Sequence, residues 1–406
     1  MEKSGSSFNI HREGLMPREE MLEVSNKQKQ LKIGIPSEDH LVESRVPITP
    51  EAVEILTGHG HEVMLETGAG RAANYLDRDY SEKGGMILEN QQEIFNRSDI
   101  LLKISPPTSE QIQWMKERQT LLSSFQVYTH RDERYIRNLL QKKITAIAFE
   151  SIQDENRCFP VVRSMSAIAG TTSILIAAEY LSNMHGGKGV MLGGITGITP
   201  TEVVILGAGT AAEYAVRAAM GVGSEVKVFD QSIHRLRRLQ GAVGQMIPTS
   251  IFHPRVILKA LRSTDVLIGA IRMDEKHPAF FITEEMVKEM KKGSVIIDIS
   301  IDRGGCIETS ELRSQVDPVF EKHGVIHYCV PNIPSRVART ASIAISNVFA
   351  PLIVEIGRLG EMGKHLKENP GLRHGVYIYK GILTSETIGN RFGIPSKDID
   401  LLMAAY

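Results

Sequence analysis

Cysteine is scarce in this chain. The three that occur in 406 residues, Cys158, Cys306 and Cys329, stand too far apart for a CxxC clip and are too few for a disulfide framework. A reducing compartment is therefore expected, and with it a cytoplasmic protein. An excess of one charge is also lacking: 47 lysines and arginines face 48 acids, so the formal net charge of -1 offers nothing to a polyanion such as nucleic acid. The longest apolar run, ILIAAEYL from Ile174 to Leu181, carries Glu179 and falls far short of the roughly 20 residues of a membrane span. The N-terminal MEKSGSSFNIHREGLMPREEM has no signal-peptide core. Fixed-period repeats and low-complexity tracts are missing, and His59, His61, His185, His253 and His327 stand at no metal-ligand spacing, so no metal is expected. What remains is an ordinary globular composition, 42% hydrophobic and 23% charged, long enough for two domains.

Residues 1–30 are polar and of mixed charge and read as an appended arm. From Leu31 short apolar runs alternate with amphipathic stretches: strands at 31–35, 62–66, 100–104, 121–125 and 145–149, helices at 50–59 and 91–97. That alternation predicts a parallel sheet covered by helices, ending near Pro160. A long helix over 165–182 leaves this unit, and the Gly-rich ribbon 186–200 follows. Strands at 202–206, 225–229, 266–271, 295–301 and 324–328, with helices at 210–220, 233–239 and 283–290, make a second unit; a second long helix, 341–358, should return the chain to the first. The predicted fold is α/β, two Rossmann-like doubly wound parallel-sheet domains joined by long helices: 31–160 with 339–406, and 161–338.

The second unit carries a dinucleotide signature. Gly207-Ala208-Gly209-Thr210-Ala211-Ala212 directly follows the strand TEVVIL and directly opens a helix. Gly207 allows the tight turn, Gly209 lets a diphosphate approach the backbone, and Ala212 keeps helix and strand close in the slot where a third glycine is commoner. The helix N-terminus supplies unpaired N–H groups to the diphosphate. Asp230 ends the next strand, 23 positions after Gly207, where a carboxylate accepts from ribose hydroxyls and repels a 2′-phosphate. NAD is thus preferred to NADP. Arg235, Arg237 and Arg238 follow and read as a solvated helix face rather than a phosphate clamp.

In the first unit, Arg45 lies in HLVESRVPITPEAV, between a strand and a helix with Thr49 as cap and Pro50 at its first position. Ligands of α/β sheets collect at that end, and a guanidinium offers a bidentate fork for a carboxylate; a surface salt bridge is the plainer alternative. Lys103 closes the apolar run SDILLK, either snorkelling to water or polarising a carbonyl in a cleft. Asp298 and Asp302 fall in SVIIDISIDRGGCIE, four positions apart and so on one face of a continuing strand; Asp302 lies nearer the Gly304-Gly305 turn and is the better placed. Cys306 and Cys329, beside these segments, read as small buried hydrophobes.

Taken in order, KIGIPSE with ESRVPITP, DILLKISPP, RSMSAIAG, GGKGVMLGGITGITPTEVVILGAGTA, VIIDISIDRGGCIE and HYCVPNIPSRVARTAS resemble the alanine dehydrogenase family, related to the NAD-binding subunit of proton-translocating transhydrogenase and to saccharopine dehydrogenases. The resemblance runs from about Lys32 nearly to the C-terminus. It implies that Arg45 and Lys103 clamp the substrate's carboxylate and carbonyl and that Asp302 is catalytic. It implies cofactor contacts at Ser166, Thr210, Ala211, Asp230, Ile271, Arg272, Asn332 and Ile333. It also implies that residues after about 339 rejoin the first domain and that the chain forms a homo-oligomer, commonly a hexamer.

One departure stands out. The family's acid/base histidine follows the strand after the lysine motif, where this chain reads LLSSFQVYTHRDERY. Counting forward from the strand puts Gln126 in its place, counting back from IAFE puts Tyr128 there, and His130 lies just beyond. Three readings stay open: His130 is the catalytic acid/base, Lys103 takes over proton transfer, or amino acid oxidation is lost. Transhydrogenase subunits match less well. They carry an amide where Asp302 stands, and an Arg/Gln/Asp-rich loop where this chain reads ENRCFPVVRSMSAIAG. The expectation is an oxidoreductase of amino acid catabolism, carrying out reversible NAD-dependent oxidative deamination of L-alanine to pyruvate and ammonia. The alternatives are a non-catalytic or transhydrogenase-like NAD(H)-binding subunit and a dehydrogenase of another amino or imino acid.

Overall fold

The computed structural model describes residues 29–125, 132–271, 281–360 and 362–404. Two sheets organise it. In spatial order the first runs Ile382–Leu383, Val376–Tyr379, Thr145–Ala148, Thr120–Ser123, Ile100–Leu102, Lys32–Ile35, Glu62–Glu66 and Met86–Leu88. All its strands are parallel except the two C-terminal ones, an antiparallel hairpin laid against Thr145–Ala148. The second runs Val319–Lys322, Val325–Tyr328, Val295–Asp298, Val266–Gly269, Glu202–Leu206, Glu225–Phe229 and Thr249–Ser250, antiparallel only at the first of these. Numbered along the chain, the parallel strands of each sheet stand in the order 3-2-1-4-5-6. The expected pair of doubly wound units is therefore present, and the physical reason is plain in the strands: Val203–Leu206, Val266–Ile268 and Val295–Ile297 are apolar and wholly buried, as strands covered on both faces must be.

The order of strands fixes where ligands can sit. In each sheet the direction of winding reverses between strands one and four, opening a crevice beyond their carboxyl ends. In the first sheet that crevice lies beyond Ile35 and Leu102, in the second beyond Leu206 and Gly269.

The first long helix spans Pro160–Leu181, starting earlier than the expected Met165 because Pro160, with its fixed φ and missing N–H, suits the first helical turn. A Cβ on Gly170 would lie 2.1 Å from the Ala211 carbonyl oxygen, so this helix meets helix Thr210–Gly221 backbone to backbone. The second spans Ala338–Leu359 and packs against the first. Contrary to the reading of the apolar run, both helices are long and apolar enough to cross a membrane by length and composition. Their packing is that of core helices: Ile174, Ala177 and Leu181 enter the second core, Ile345, Phe349 and Ile353 the first.

Other expectations are corrected. The strand from Val295 stops at Asp298 instead of reaching Ile301, because residues 299–303 wind into a 3-10 turn. Short strands at Met86–Leu88, Thr249–Ser250 and Val319–Lys322 and the C-terminal hairpin were not expected. Apart from Lys29 and Gln30, the arm lies outside the described residues.

His327, buried on Val325–Tyr328, has Nδ1 2.9 Å from the Val325 carbonyl and Nε2 2.7 Å from Thr309 Oγ1. The carbonyl can only accept, so Nδ1 carries the hydrogen. Burial depresses the pKa from 6.5 to about 4. The folded ring stays neutral where the unfolded one protonates, so its stabilisation is present above 6.5 and is lost as pH falls toward 4. Thermal midpoints measured from neutral pH down to about 4 should fall less steeply in His327→Gln than in the parent; an unchanged slope would refute this.

Candidate functional site

The loop after the first strand has few backbone partners of its own, and the second long helix and the 3-10 turn Ile333–Val337 that precedes it supply them. Ser335 Oγ accepts from the Ser44 N–H at 2.8 Å, Ser342 Oγ from Val46 at 2.9 Å and Ser346 Oγ from Thr49 at 3.1 Å. Ser342 and Ser346 are one turn apart on one helix face, so the loop is laid along that face like a strand on its neighbour. This fixes Arg45. Its guanidinium is buried, with Nε 2.7 Å from Glu43 Oε1 and Nη2 2.6 Å from Glu43 Oε2, while Nη1 lies against Met165 Sδ. Burial pushes the Glu43 carboxyl up, but the Arg45 charge and its hydrogen bonds outweigh that and hold it below the usual range.

Lys103 emerges just beyond Leu102, at the first sheet's winding reversal, and is 3% exposed, so it does not snorkel to water. Its Nζ lies 3.0 Å from Glu38 Oε2, and Glu38 Oε1 accepts the Ile104 N–H at 2.7 Å. Here burial dominates: the Glu38 carboxyl is pushed up, with Lys103 opposing and the charge of Glu43 adding to the rise. The structure thus buries two cations, each with its own carboxylate, and gives the two carboxyls opposite shifts, with the charge of Glu43 felt at Glu38. At the end of the adjoining strand the hydroxyls of Ser123 and Ser124 are buried with no hydrogen-bond partner among the described residues. A polar ligand atom would satisfy them.

In the second lobe Gly207 has φ +104, and a Cβ there would meet the Ala270 carbonyl oxygen at 2.5 Å; only glycine fits. A Cβ on Gly209 would meet nothing, so the backbone stands open before a helix that has no side-chain cap. Asp230 Oδ2 accepts from the Ala208 N–H at 2.8 Å and Oδ1 from Ser232 N at 2.7 Å, which anchors the carboxylate and leaves further lone pairs. An open diphosphate cradle beside an anchored acid fits a dinucleotide. Thr210 and Ala211 open the helix, Ile271 packs across the Gly207 turn, and Ser166 is one turn before Gly170 on the helix that meets Ala211. Arg235 and Arg237 are solvent-exposed as expected, but Arg238 is not simply solvated: its Nη2 donates to the Ala208 carbonyl at 3.0 Å.

Asn332 adopts a left-handed backbone, φ 61, and donates through Nδ2 to Glu43 Oε2 at 2.7 Å; Ile333 is buried in the second core. Asp302 does not share a strand face with Asp298. It stands exposed on the 3-10 turn, while Asp298 is buried and accepts from Ser300 N, Cys306 N and Ser310 Oγ, which makes it the anchor of that loop. Burial pushes the Cys306 thiol up and that of Cys329 up to about 12, so neither is a nucleophile at neutral pH. Gln126, Tyr128, His130 and Arg272 lie outside the described residues. No group of three or more potential metal ligands occurs among the described residues.

Sequence reasoning missed Glu38, Glu43 and the serines 335, 342 and 346. A signal existed for the acids, which both precede Arg45 in SEDHLVESR.

Two family models cover most of the chain: "Alanine dehydrogenase/PNT, N-terminal domain" matches residues 34–169 and "Alanine dehydrogenase/PNT, C-terminal domain" residues 173–386. A protein named alanine dehydrogenase from Methanococcus maripaludis is 37% identical over 366 residues, 89% of this chain and 97% of its own. One of the same name from Staphylococcus saprophyticus is 35% identical over 371 residues, 91% of this chain and 98% of its own. Among solved structures, one titled L-alanine dehydrogenase superposes with a TM-score of 0.83 at 32% identity, covering 89% of this chain and 99% of its own.

Proposed function

Because the chain belongs to the alanine dehydrogenase/PNT family, we infer that it catalyses the reversible NAD-dependent oxidative deamination of L-alanine to pyruvate and ammonia. The observation that carries this reading is the pair of buried cations, Arg45 and Lys103, at the ligand-collecting end of the first sheet. The first lobe, 31–160 with 339–406, takes the substrate, and the second, 161–338, takes the dinucleotide.

Glu43 occupies the Nε–Nη2 edge of Arg45, so the remaining edge receives the substrate's carboxylate. Lys103 donates to the oxygen on which charge builds, in a site dry enough for that contact to count. NAD would supply the hydride acceptor when bound; Gly207, Gly209, Thr210 and Ala211 would cradle its diphosphate and Asp230 its ribose, Ser166, Ile271, Asn332 and Ile333 would border it, and the family resemblance adds Arg272 to that set. Asp302 positions the ammonia or the hydrolytic water. His130, with an imidazole that exchanges protons near neutral pH, is the proposed acid/base; Lys103 with Glu38 is the second candidate.

A substrate panel tests the assignment. NADH formation should be fastest with L-alanine, by about tenfold or more in kcat/KM over the amino acid one methylene longer. NADH binding without oxidation of any amino acid would favour the binding-subunit reading, and a faster alternative substrate would reassign the enzyme. A cytoplasmic homo-oligomer, a hexamer, completes the proposal; the three cysteines are all free.

A further inference from the structure

The carboxylate of Glu43 is saturated. Oε1 accepts from the Arg45 backbone N–H at 3.0 Å, from Arg45 Nε at 2.7 Å and from Ser335 Oγ at 3.1 Å; Oε2 accepts from Arg45 Nη2 at 2.6 Å and Asn332 Nδ2 at 2.7 Å. Five donors on about four lone-pair directions leave nothing for a substrate, so Glu43 is neither a base nor a ligand. Its donors come from two places. Arg45 belongs to the loop after the first strand of the first sheet. Asn332 and Ser335 belong to the segment that leaves the last strand of the second sheet, whose Ile333 is buried in the second core. Ser335 ties the same two segments again by accepting the Ser44 N–H.

We infer that Glu43 is a positioning residue that couples the two lobes: one carboxylate orients the substrate-gripping Arg45 and holds Asn332 beside the dinucleotide crevice, so each ligand tightens the binding of the other. The inference rests on the dehydrogenase reading and deepens it. Displacing Asn332 moves the acceptor on which Arg45 is aimed, and re-aiming Arg45 moves the acceptor of Asn332. A coupling of this kind is reciprocal, the same factor appearing at both sites.

The test uses full-length protein and NADH fluorescence titrations with and without pyruvate, in ammonia-free buffer so that nothing turns over. In the parent, pyruvate should tighten NADH about tenfold, inside the range of about 5–150-fold usual for coupled sites. Ser335→Ala, which removes both Ser335 contacts between the lobes, to Glu43 and to the Ser44 N–H, and leaves the Arg45–Glu43 pair, should reduce that factor to about threefold or less while NADH alone binds within about twofold of the parent. Glu43→Gln should lose the coupling and weaken pyruvate as well. Circular dichroism checks folding, and Ser335→Ala carries the test if Glu43→Gln does not fold. A coupling factor unchanged in Ser335→Ala, or absent from the parent although both ligands bind, overturns the inference. Parent protein that binds NADH but never pyruvate overturns the dehydrogenase reading and this inference with it, a pattern distinct from lost coupling alone.

Discussion

Lys103→Ala should lower kcat for L-alanine oxidation by about a thousandfold or more while NADH still binds. Two costs combine. Removing a donor aimed at developing charge typically costs about 10²–10³ in rate, and disturbing a proton-transfer group about 10²–10⁴. Lys103 is the buried cation at the winding reversal of the first sheet, and its loss strips Glu38 of the charge that opposes the upward push of burial. The Glu38 carboxyl would then be pushed further up, and the residual activity should show a changed pH profile. Glu38→Gln should give a smaller loss with its own altered profile, because the ammonium stays in place. Lys103→Arg should not rescue, since a planar fork does not replace a compact ammonium. Steady-state rates and NADH fluorescence decide the matter; near-normal turnover in Lys103→Ala would remove Lys103 from the chemistry.

Arg45→Met should fail in two measurable ways. Substrate affinity should fall, read as a KM for L-alanine raised by about a hundredfold, because the bidentate charged contact is lost (about 3 kcal/mol). Stability should fall too. Breaking a buried pair leaves the other charge without its partner, at a cost on the order of 3–5 kcal/mol. Glu43 would keep only Asn332 and Ser335 among its side-chain donors. The double variant Glu43→Gln with Arg45→Met should regain much of the urea midpoint but none of the KM. Recovery of KM in the double variant, or no loss of midpoint in the single one, would contradict the pairing described here.

Most of the fold was legible because doubly wound sheets write themselves in apolar runs. The apolar runs Leu31–Ile35, Glu202–Leu206 and Glu225–Phe229 match the strands to within a residue. What escaped has a physical reason. The hairpin VYIYKGIL, turning at Lys380 and Gly381 with positive φ, escapes a reading of local runs because its strands matter only where Thr145–Ala148, far off in the chain, offers an edge. Alternation alone places Asp302 on a strand, since it cannot show that the Asp298 side chain draws four donors around itself where the chain bends into a turn. At the site, the cations were visible and their anions were not. A buried carboxylate leaves no periodic trace; Glu38 is set against Lys103 only by folding across 65 positions, while Glu43, two residues before Arg45, shows only as one more acid in SEDHLVESR. The same holds for the serines, whose partners are some 290 positions away.

The backbone passes between the lobes twice, through helices Pro160–Leu181 and Ala338–Leu359, and the two passages lie side by side. A single crossing would leave the halves free to spin like beads on a thread. Two adjacent crossings act as a pair of pins on a door. They resist the free twisting of one half against the other that a single linker would allow, so any opening that admits alanine is guided by the packing of these two helices.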